Sequence, residues 1–153
     1  MTDTLHAIIA ATLACGILDA TAATTQAALL GIPAQRVWQT VASGLLGPRA
    51  FEQGWRTGSL GLALHFIISF TISTIYVLAS LRLPFLLKHP LTAGALFGIA
   101  IYIVMNYVVL PLSRRPKRPF NRNFALTQLV IHICVVGWSI ALAAHYLLPT
   151  PVH

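Results

Sequence analysis

Asp19 places a carboxylate in the middle of the first long apolar segment of the chain, within the stretch CGILDATAATTQ. A charged carboxylate at the centre of a membrane-spanning helix costs about 2.5–3.5 kcal/mol on insertion scales. We therefore expect Asp19 to be protonated or partnered, and ionisable side chains inside a membrane commonly belong to proton or ion pathways. His65 and His132, each inside another apolar segment, are the candidate partners, because an imidazole and a carboxyl group can share one proton.

Asn106 and Gln26 complete a set of five polar side chains that could bind a ligand or a proton. At a rise of about 1.5 Å per residue, His65, Asn106 and His132 are predicted to lie about 9–12 Å below the same membrane surface. Helical spacing puts Asp19 and Gln26 on one stripe of the first helix. We predict that these stripes face one another, with Asp19 as the proton- or cation-binding group, the two histidines as its relay and the two amides as orienting groups.

Four apolar segments have to position these side chains. The chain of 153 residues is 57% hydrophobic and 8% charged, whereas soluble domains carry roughly a quarter charged residues, so the composition indicates a membrane protein. A bilayer core of about 30 Å needs about 20 apolar residues, and four segments are long enough: 5–30, 59–81, 91–112 and 124–148. The sequence predicts an all-α membrane protein, a four-transmembrane-helix up-down-up-down bundle forming a single domain over residues 1–153.

The segment 33–54 between the first two spans has a different character. Pro33 and Pro48 can each occupy the first position of a short helix, and Trp38 and Val41 give the segment an apolar side, whereas Arg36 is polar. This pattern predicts a short amphipathic interfacial helical segment on the inner leaflet. A shallow re-entrant segment is the alternative.

The basic residues predict the orientation in the membrane. The formal net charge is +7, and eight of the ten Lys and Arg residues fall in the loops after the first and third spans. The positive-inside rule then puts both termini outside, in the periplasm if the membrane is a bacterial inner membrane. In so apolar a chain we expect the basic residues to meet anionic lipid head groups and not nucleic acid. The predicted lipid-binding residues are Arg114, Arg115, Lys117, Arg118 and Arg122.

The preferred function is that of a small transporter or channel-like protein handling protons or a small cation or solute. We expect a homo-oligomer or a subunit of a membrane complex, because four helices seldom enclose a pathway alone. One alternative is a structural or accessory subunit whose polar network only fixes packing. Another is a haem b electron-transfer subunit with His65 and His132 as axial ligands.

Three further expectations concern the outer histidines, the two cysteines and the possibility of catalysis. His6 and His145, near the outer ends of their helices, are candidates for a metal or pH-sensing site. Cys15 and Cys134 fall in apolar runs and are expected to be buried and reduced. No Ser-His-Asp spacing, P-loop, GxGxxG or HExxH pattern is found, so enzyme function is the least favoured class.

Three segments, VASGLLGPRAF, LGLALHF and MNYVVLPLS, resemble patterns in small uncharacterised bacterial inner-membrane proteins of the YagU-like kind. The resemblance covers residues from about 37 to 113. It implies a bacterial inner-membrane location and no assigned chemistry, so no functional residue is carried over from it.

Overall fold

Four long helices dominate the computed structural model of the chain, which describes residues 2–117 and 119–149. Each is long and apolar enough to cross a membrane: α1 (Thr2–Leu29), α3 (Trp55–Ser80), α5 (Pro90–Leu112) and α6 (Arg122–Leu147). Two shorter helices, α2 (Ala34–Leu46) and α4 (Pro84–Lys88), lie in the connections. All regular structure in the described residues is helical, which confirms the all-α membrane protein with four spans.

The helix boundaries follow local hydrogen bonds at the loop ends of the spans. Helix α3 starts at Trp55, earlier than the predicted Ser59, because the Thr57 hydroxyl donates to the Ala50 carbonyl oxygen at 2.6 Å and fastens the first turn. Helix α6 starts at Arg122 because the Asn121 side chain accepts the Phe124 N–H at 3.0 Å, an N-cap that satisfies one of the open donors of the first turn. Polar contacts thus lengthen both helices beyond their apolar stretches.

Helices α1 and α6 form the centre of the bundle. Helix α1 packs against α3 and α6, and α5 packs against α6. Gly94, Gly98 and Gly137 form the contact between α5 and α6, and a Cβ atom added at Gly98 would lie 2.2 Å from the His132 carbonyl oxygen. The two backbones therefore touch, as small residues permit in membrane helix pairs.

The two ends of the bundle differ in structure. The terminal end, where α1 begins and α6 finishes, contains a core of small and aliphatic side chains around Tyr76. The Tyr76 hydroxyl donates to the Leu86 carbonyl oxygen at 3.2 Å and holds α4 against α3. The interfacial end carries α2 and the basic loop 113–121.

Helix α2 packs directly on α3. A Cβ atom added at Gly61 would lie 1.8 Å from the Trp38 carbonyl oxygen, so the two backbones are in contact there. Trp38 is 6% exposed, whereas Arg36 on the opposite side is exposed. The Arg114 N–H donates to the Gly44 carbonyl oxygen at 2.8 Å and ties the basic loop to α2. The amphipathic segment thus forms a helix followed by a 3₁₀ turn, Gly47–Phe51, and connects α3 to the basic loop.

Helices α5 and α6 each contain a π-helical turn. In α5 the turn covers Met105–Val109 and the Leu110 N–H reaches the Met105 carbonyl, whereas in α6 it covers His132–Gly137 and the Trp138 N–H reaches the Ile133 carbonyl. Such turns contain one residue more than the α-helical path and are found frequently at functional sites.

Candidate functional site

Asp19 on α1 and His65 on α3 lie opposite each other inside the bundle. The Asp19 Oδ2 atom is 3.8 Å from His65 Nδ1, and His65 Nε2 is 2.9 Å from the Gly16 carbonyl oxygen. Each residue lies ten positions from the interfacial end of its helix, which corresponds to about 15 Å at the helical rise. Because the two helices are antiparallel, with α1 ending and α3 beginning at the interfacial end, the carboxylate and the imidazole lie at one depth.

The hydrogen bond to Gly16 determines how this pair handles a proton. A carbonyl oxygen only accepts, so His65 Nε2 carries a hydrogen, and Nδ1 of the neutral ring is an acceptor. An ionised Asp19 has only acceptor oxygens, so it cannot form a hydrogen bond with an Nδ1 atom that is also an acceptor. One proton added to either group supplies the donor that a hydrogen bond between them needs. The separation of 3.8 Å exceeds a direct hydrogen bond, so sharing the proton requires a small side-chain movement or a bridging water. The pair can therefore hold and release one proton.

Aromatic side chains enclose His65. The Trp38 ring of α2 lies 5.5 Å from the imidazole and the Phe66 ring lies 5.4 Å away. Gly16 leaves room for this arrangement, because a Cβ atom there would lie 2.5 Å from the Phe66 ring.

A series of small polar side chains continues from His65 towards the terminal end. The Ser69 hydroxyl donates to the His65 carbonyl oxygen at 3.0 Å, and the Cys15 thiol lies beside the hydroxyls of Ser69 and Ser139. One turn beyond Ser69, the Ser73 hydroxyl is fully buried without a hydrogen-bond partner among the described residues. These side chains form a row of polar groups where α1, α3 and α6 meet.

On the other side of the pair, a cavity of about 640 Å³ opens at the interfacial end. This interfacial cavity lies between α1, α2 and α6, and its lining includes Arg36, Arg115 and Ala23. Ala23 is one helical turn from Asp19, or about 6 Å along the axis. The Gln128 amide donates to Gln26 Oε1 at 2.8 Å across the cavity. The cavity therefore reaches from the basic loop to within one turn of the carboxylate.

His132 and Asn106 lie apart from this pair, with His132 where α6 contacts Gly98 of α5 and Asn106 in the π-helical turn of α5. His132 Nδ1 is 2.8 Å from the Gln128 carbonyl oxygen and its ring packs against Tyr102. The Asn106 amide donates to the Tyr102 carbonyl oxygen at 2.9 Å. Both side chains thus bond a carbonyl group of their own helix beside a π-helical turn. The predicted constellation separates into an Asp19–His65 pair and an α5–α6 group, with Gln26 bridging from α1 to α6.

The two histidines do not fit the requirements of haem ligation. A haem iron would need a ring nitrogen of each histidine, but His65 Nε2 is engaged by the Gly16 carbonyl and its Nδ1 faces Asp19. His132 meanwhile packs at the close contact of Gly98 with its own backbone, where a macrocycle would have to separate α5 from α6.

The remaining titratable residues are dispersed. Among the described residues, no group of three His, Cys, Asp or Glu side chains could hold a metal ion. His145 Nδ1 donates to the Leu87 carbonyl oxygen at 2.7 Å, which gives this histidine a structural role at α4, and His6 is exposed. Cys15 is buried as expected, but the expectation for Cys134 was wrong. Cys134 is exposed because it lies on the outward side of the π-helical turn of α6.

The predicted lipid-binding residues lie in and after the basic loop. Arg114, Lys117 and Arg122 are exposed, whereas Arg115 is half-buried and lines the interfacial cavity. Arg118 lies outside the described residues.

Comparison with protein-family models, curated proteins and solved structures finds no match to this chain. The resemblance to YagU-like proteins therefore stays a prediction. The chain is a multi-pass membrane protein with four spanning helices, and its function has to be argued from the site itself.

Proposed function

We propose that the chain is a small proton-conducting or proton-coupled transport protein in which Asp19 and His65 bind the transferred proton. The observation that carries this proposal is the geometry of the pair. His65 Nδ1 faces Asp19 Oδ2 at 3.8 Å while Nε2 is fixed by the Gly16 carbonyl. A carboxyl group and an imidazole so arranged within a spanning segment form a site that takes up one proton and gives it back.

Features on both sides of the Asp19–His65 pair support a route for the proton along the bundle. The interfacial cavity ends one turn from Asp19, so a proton can reach the carboxylate from the aqueous side over a short distance. Towards the terminal end, Ser69, Ser73 and Ser139 provide hydroxyl groups, each of which can both donate and accept. The packed core around these hydroxyls is closed in this structure, so passage requires a conformational change that admits water.

The number of ligands at the pair favours a proton over a metal cation as the transported species. Among the described residues, no group of three His, Cys, Asp or Glu side chains could hold a metal ion, whereas a proton needs only one basic group. Among the species predicted from the sequence, the proton is therefore the one that we propose.

The proposed orientation and assembly follow from the same features. Arg36, Arg49, Arg56 and the basic loop all lie at the interfacial end, which supports a cytoplasmic location of this end and an outer location of both termini. Helix α5 is the least buried span, with 6% of its most apolar window buried, and this surface is available to lipid or to a second copy. We propose a homo-oligomer in a bacterial inner membrane.

Proton flux in liposomes tests the role of Asp19. The purified chain is reconstituted with a pH-sensitive dye inside the vesicles, and a potassium gradient with valinomycin supplies the driving force. Asp19→Asn keeps the shape of the side chain but removes the proton-binding group, so the flux should fall to that of protein-free vesicles. Asp3→Asn is the matched control, because Asp3 is an exposed carboxylate in the first turn of the same helix.

A folded Asp19→Asn variant that conducts like the native chain would refute the proposal. Helical content by circular dichroism and a single gel-filtration peak establish that the variant is folded. In that case an accessory role remains, in which the bonds from His65 to Gly16 and from Gln128 to Gln26 only fix the packing of the helices.

A further inference from the structure

A second groove lies at the terminal end of the bundle, away from the interfacial cavity. Helix α3 packs on α1 and α5 packs on α6, while α4 contacts both α3 and α5, so a gap remains between α3 and α5 beside α4. This terminal groove has a volume of about 270 Å³, and its walls include Ile75, Ala79, Phe85, Leu86, Leu96 and Phe97. We propose that the terminal groove holds an acyl chain of an anionic phospholipid whose phosphate group meets Arg82 and Lys88.

The terminal groove is preformed by contacts of its floor and of α4. The rings of Tyr76 and Phe97 meet edge to face at 5.0 Å and close the gap between α3 and α5 on its inner side. The Tyr76 hydroxyl donates to the Leu86 carbonyl oxygen at 3.2 Å, and His145 Nδ1 donates to the Leu87 carbonyl oxygen at 2.7 Å. Helix α4 is thus held from α3 and from α6, and such preorganisation lowers the entropic cost of binding.

The outer side of the terminal groove is open to the hydrocarbon of the membrane. Ile75 is 55% exposed and Leu96 is 57% exposed, one on each wall. The volume of about 270 Å³ lies below the range of roughly 300–1,000 Å³ that whole small molecules occupy, so it suits a segment of one chain. Since all lipid tails are similarly apolar, selection among lipids has to come from the head group.

Arg82 and Lys88 supply this selection at the end of the groove. Arg82 follows the last residues of α3 and Lys88 ends α4, and both side chains are exposed. Neither forms an ion pair with a described residue. The His89 ring lies 5.3 Å from the ring of Phe85, which lines the groove, so a further N–H donor stands at its edge.

The charge distribution of the chain favours an anionic lipid over a second copy as the occupant. Arg82 and Lys88 are the two of the ten Lys and Arg residues that lie outside the loops after the first and third spans. The chain has three acidic residues; Asp19 lies within a span and Glu52 at the interfacial end, so a second copy could offer only Asp3. A zwitterionic lipid brings an ammonium group that the two cations repel, whereas an anionic head group is attracted by both.

Photolabelling of the full chain in nanodiscs tests the proposal. The nanodiscs consist of phosphatidylcholine and contain a small, equal fraction of one diazirine-labelled probe, either phosphatidylglycerol or phosphatidylcholine with the same acyl chains. Peptide mass spectrometry after pepsin digestion locates the adducts. The phosphatidylglycerol probe should label the groove segments 75–79 and 85–86 about tenfold more strongly than the phosphatidylcholine probe, since two cations attract it.

The double variant R82Q/K88Q should lower labelling by the phosphatidylglycerol probe to the level of the phosphatidylcholine probe. The matched control R49Q/R56Q removes two exposed arginines at the interfacial end and should label as the native chain does. Equal labelling of the native groove by the two probes, or an equal loss in the two double variants, would overturn the proposal. Groove segments that take up neither probe would show that protein covers them and would overturn it as well.

A variant that fills the terminal groove tests whether the acyl chain enters it. Ala79→Phe leaves the charge unchanged and keeps the Ala79 carbonyl that accepts the N–H groups of Arg82 and Leu83, so the variant should fold and lose the groove adducts. Ala63→Phe places the same ring at an exposed position of α3, about 24 Å away along the helix, and should keep them. Adducts retained in Ala79→Phe would place the chain elsewhere and overturn the proposal. Because the terminal groove includes neither Asp19 nor His65, this outcome does not depend on proton transport.

Discussion

Replacing Gly61 with alanine is expected to push α2 away from α3, because the two helices touch through their backbones at this position. The added methyl group would lie 1.8 Å from the Trp38 carbonyl oxygen and 2.6 Å from its carbonyl carbon, whereas ordinary contact begins at 3.4 Å. Both atoms belong to the main chain and cannot rotate out of the way. Helix α2 must therefore move by about 1.6 Å, and Trp38 moves with it.

The energetic cost follows from this displacement. Overpacking of a closely fitted contact costs about 1–3 kcal/mol, which exceeds the gain of about 0.5–1 kcal/mol that alanine brings over glycine in a helix. The indole, now 5.5 Å from His65, also moves away from the imidazole. We therefore expect a lower free energy of unfolding together with an altered proton flux.

Chemical unfolding in mixed micelles, followed by circular dichroism, measures the stability change. Gly44→Ala is the matched control on α2, because its Cβ atom would meet only the Ser113 Cβ atom at an ordinary 3.8 Å. This control should be neutral or more stable by up to about 1 kcal/mol. If Gly61→Ala unfolds at the same denaturant concentration as the native chain or at a higher one, the described contact between α2 and α3 is wrong.

Two further substitutions test the role of His65 in proton flux and the N-cap of α6 at Asn121. In His65→Gln the amide can still donate to the Gly16 carbonyl but does not titrate near neutral pH, so the unfolding free energy should stay within about 1 kcal/mol while liposome flux is lost. Retained flux would remove the histidine from the pathway. Asn121→Ala should cost about 0.5–2 kcal/mol through loss of the cap on the Phe124 N–H, measured by the same unfolding assay. Asn123→Ala, two residues further along and outside the cap, should change little, and equal losses at the two asparagines would contradict the cap.

The spanning helices could be predicted from the sequence because their signal is local. Runs of apolar residues bounded by Pro33, Pro84 and Pro149 define them without reference to the rest of the chain. The Asp19–His65 pair was only partly within reach, since the sequence offered both His65 and His132 as partners of Asp19 and did not choose between them.

The other parts of the site depend on helix rotation and on backbone irregularities, which periodicity does not reveal. Asn106 and His132 were assigned to one cluster with Asp19, but each bonds the carbonyl oxygen four residues back in its own helix. The approach of Trp38 to His65 requires the backbone contact at Gly61, and a lone glycine in an apolar run gives no sign of its neighbour. The interfacial cavity combines residues from five separate segments and has no local pattern at all.

The π-helical turns of α5 and α6 also affect how these helices tolerate changes in length over evolution. Deleting one residue from an α-helical span rotates everything beyond it by about 100° and would turn Gly94 or Gly137 away from its partner. Deleting one residue from Met105–Val109 or His132–Gly137 would instead restore an α-helical path and keep the two flanking faces in register. Within α5 and α6, single-residue length variation among homologues is therefore expected to concentrate at these two turns.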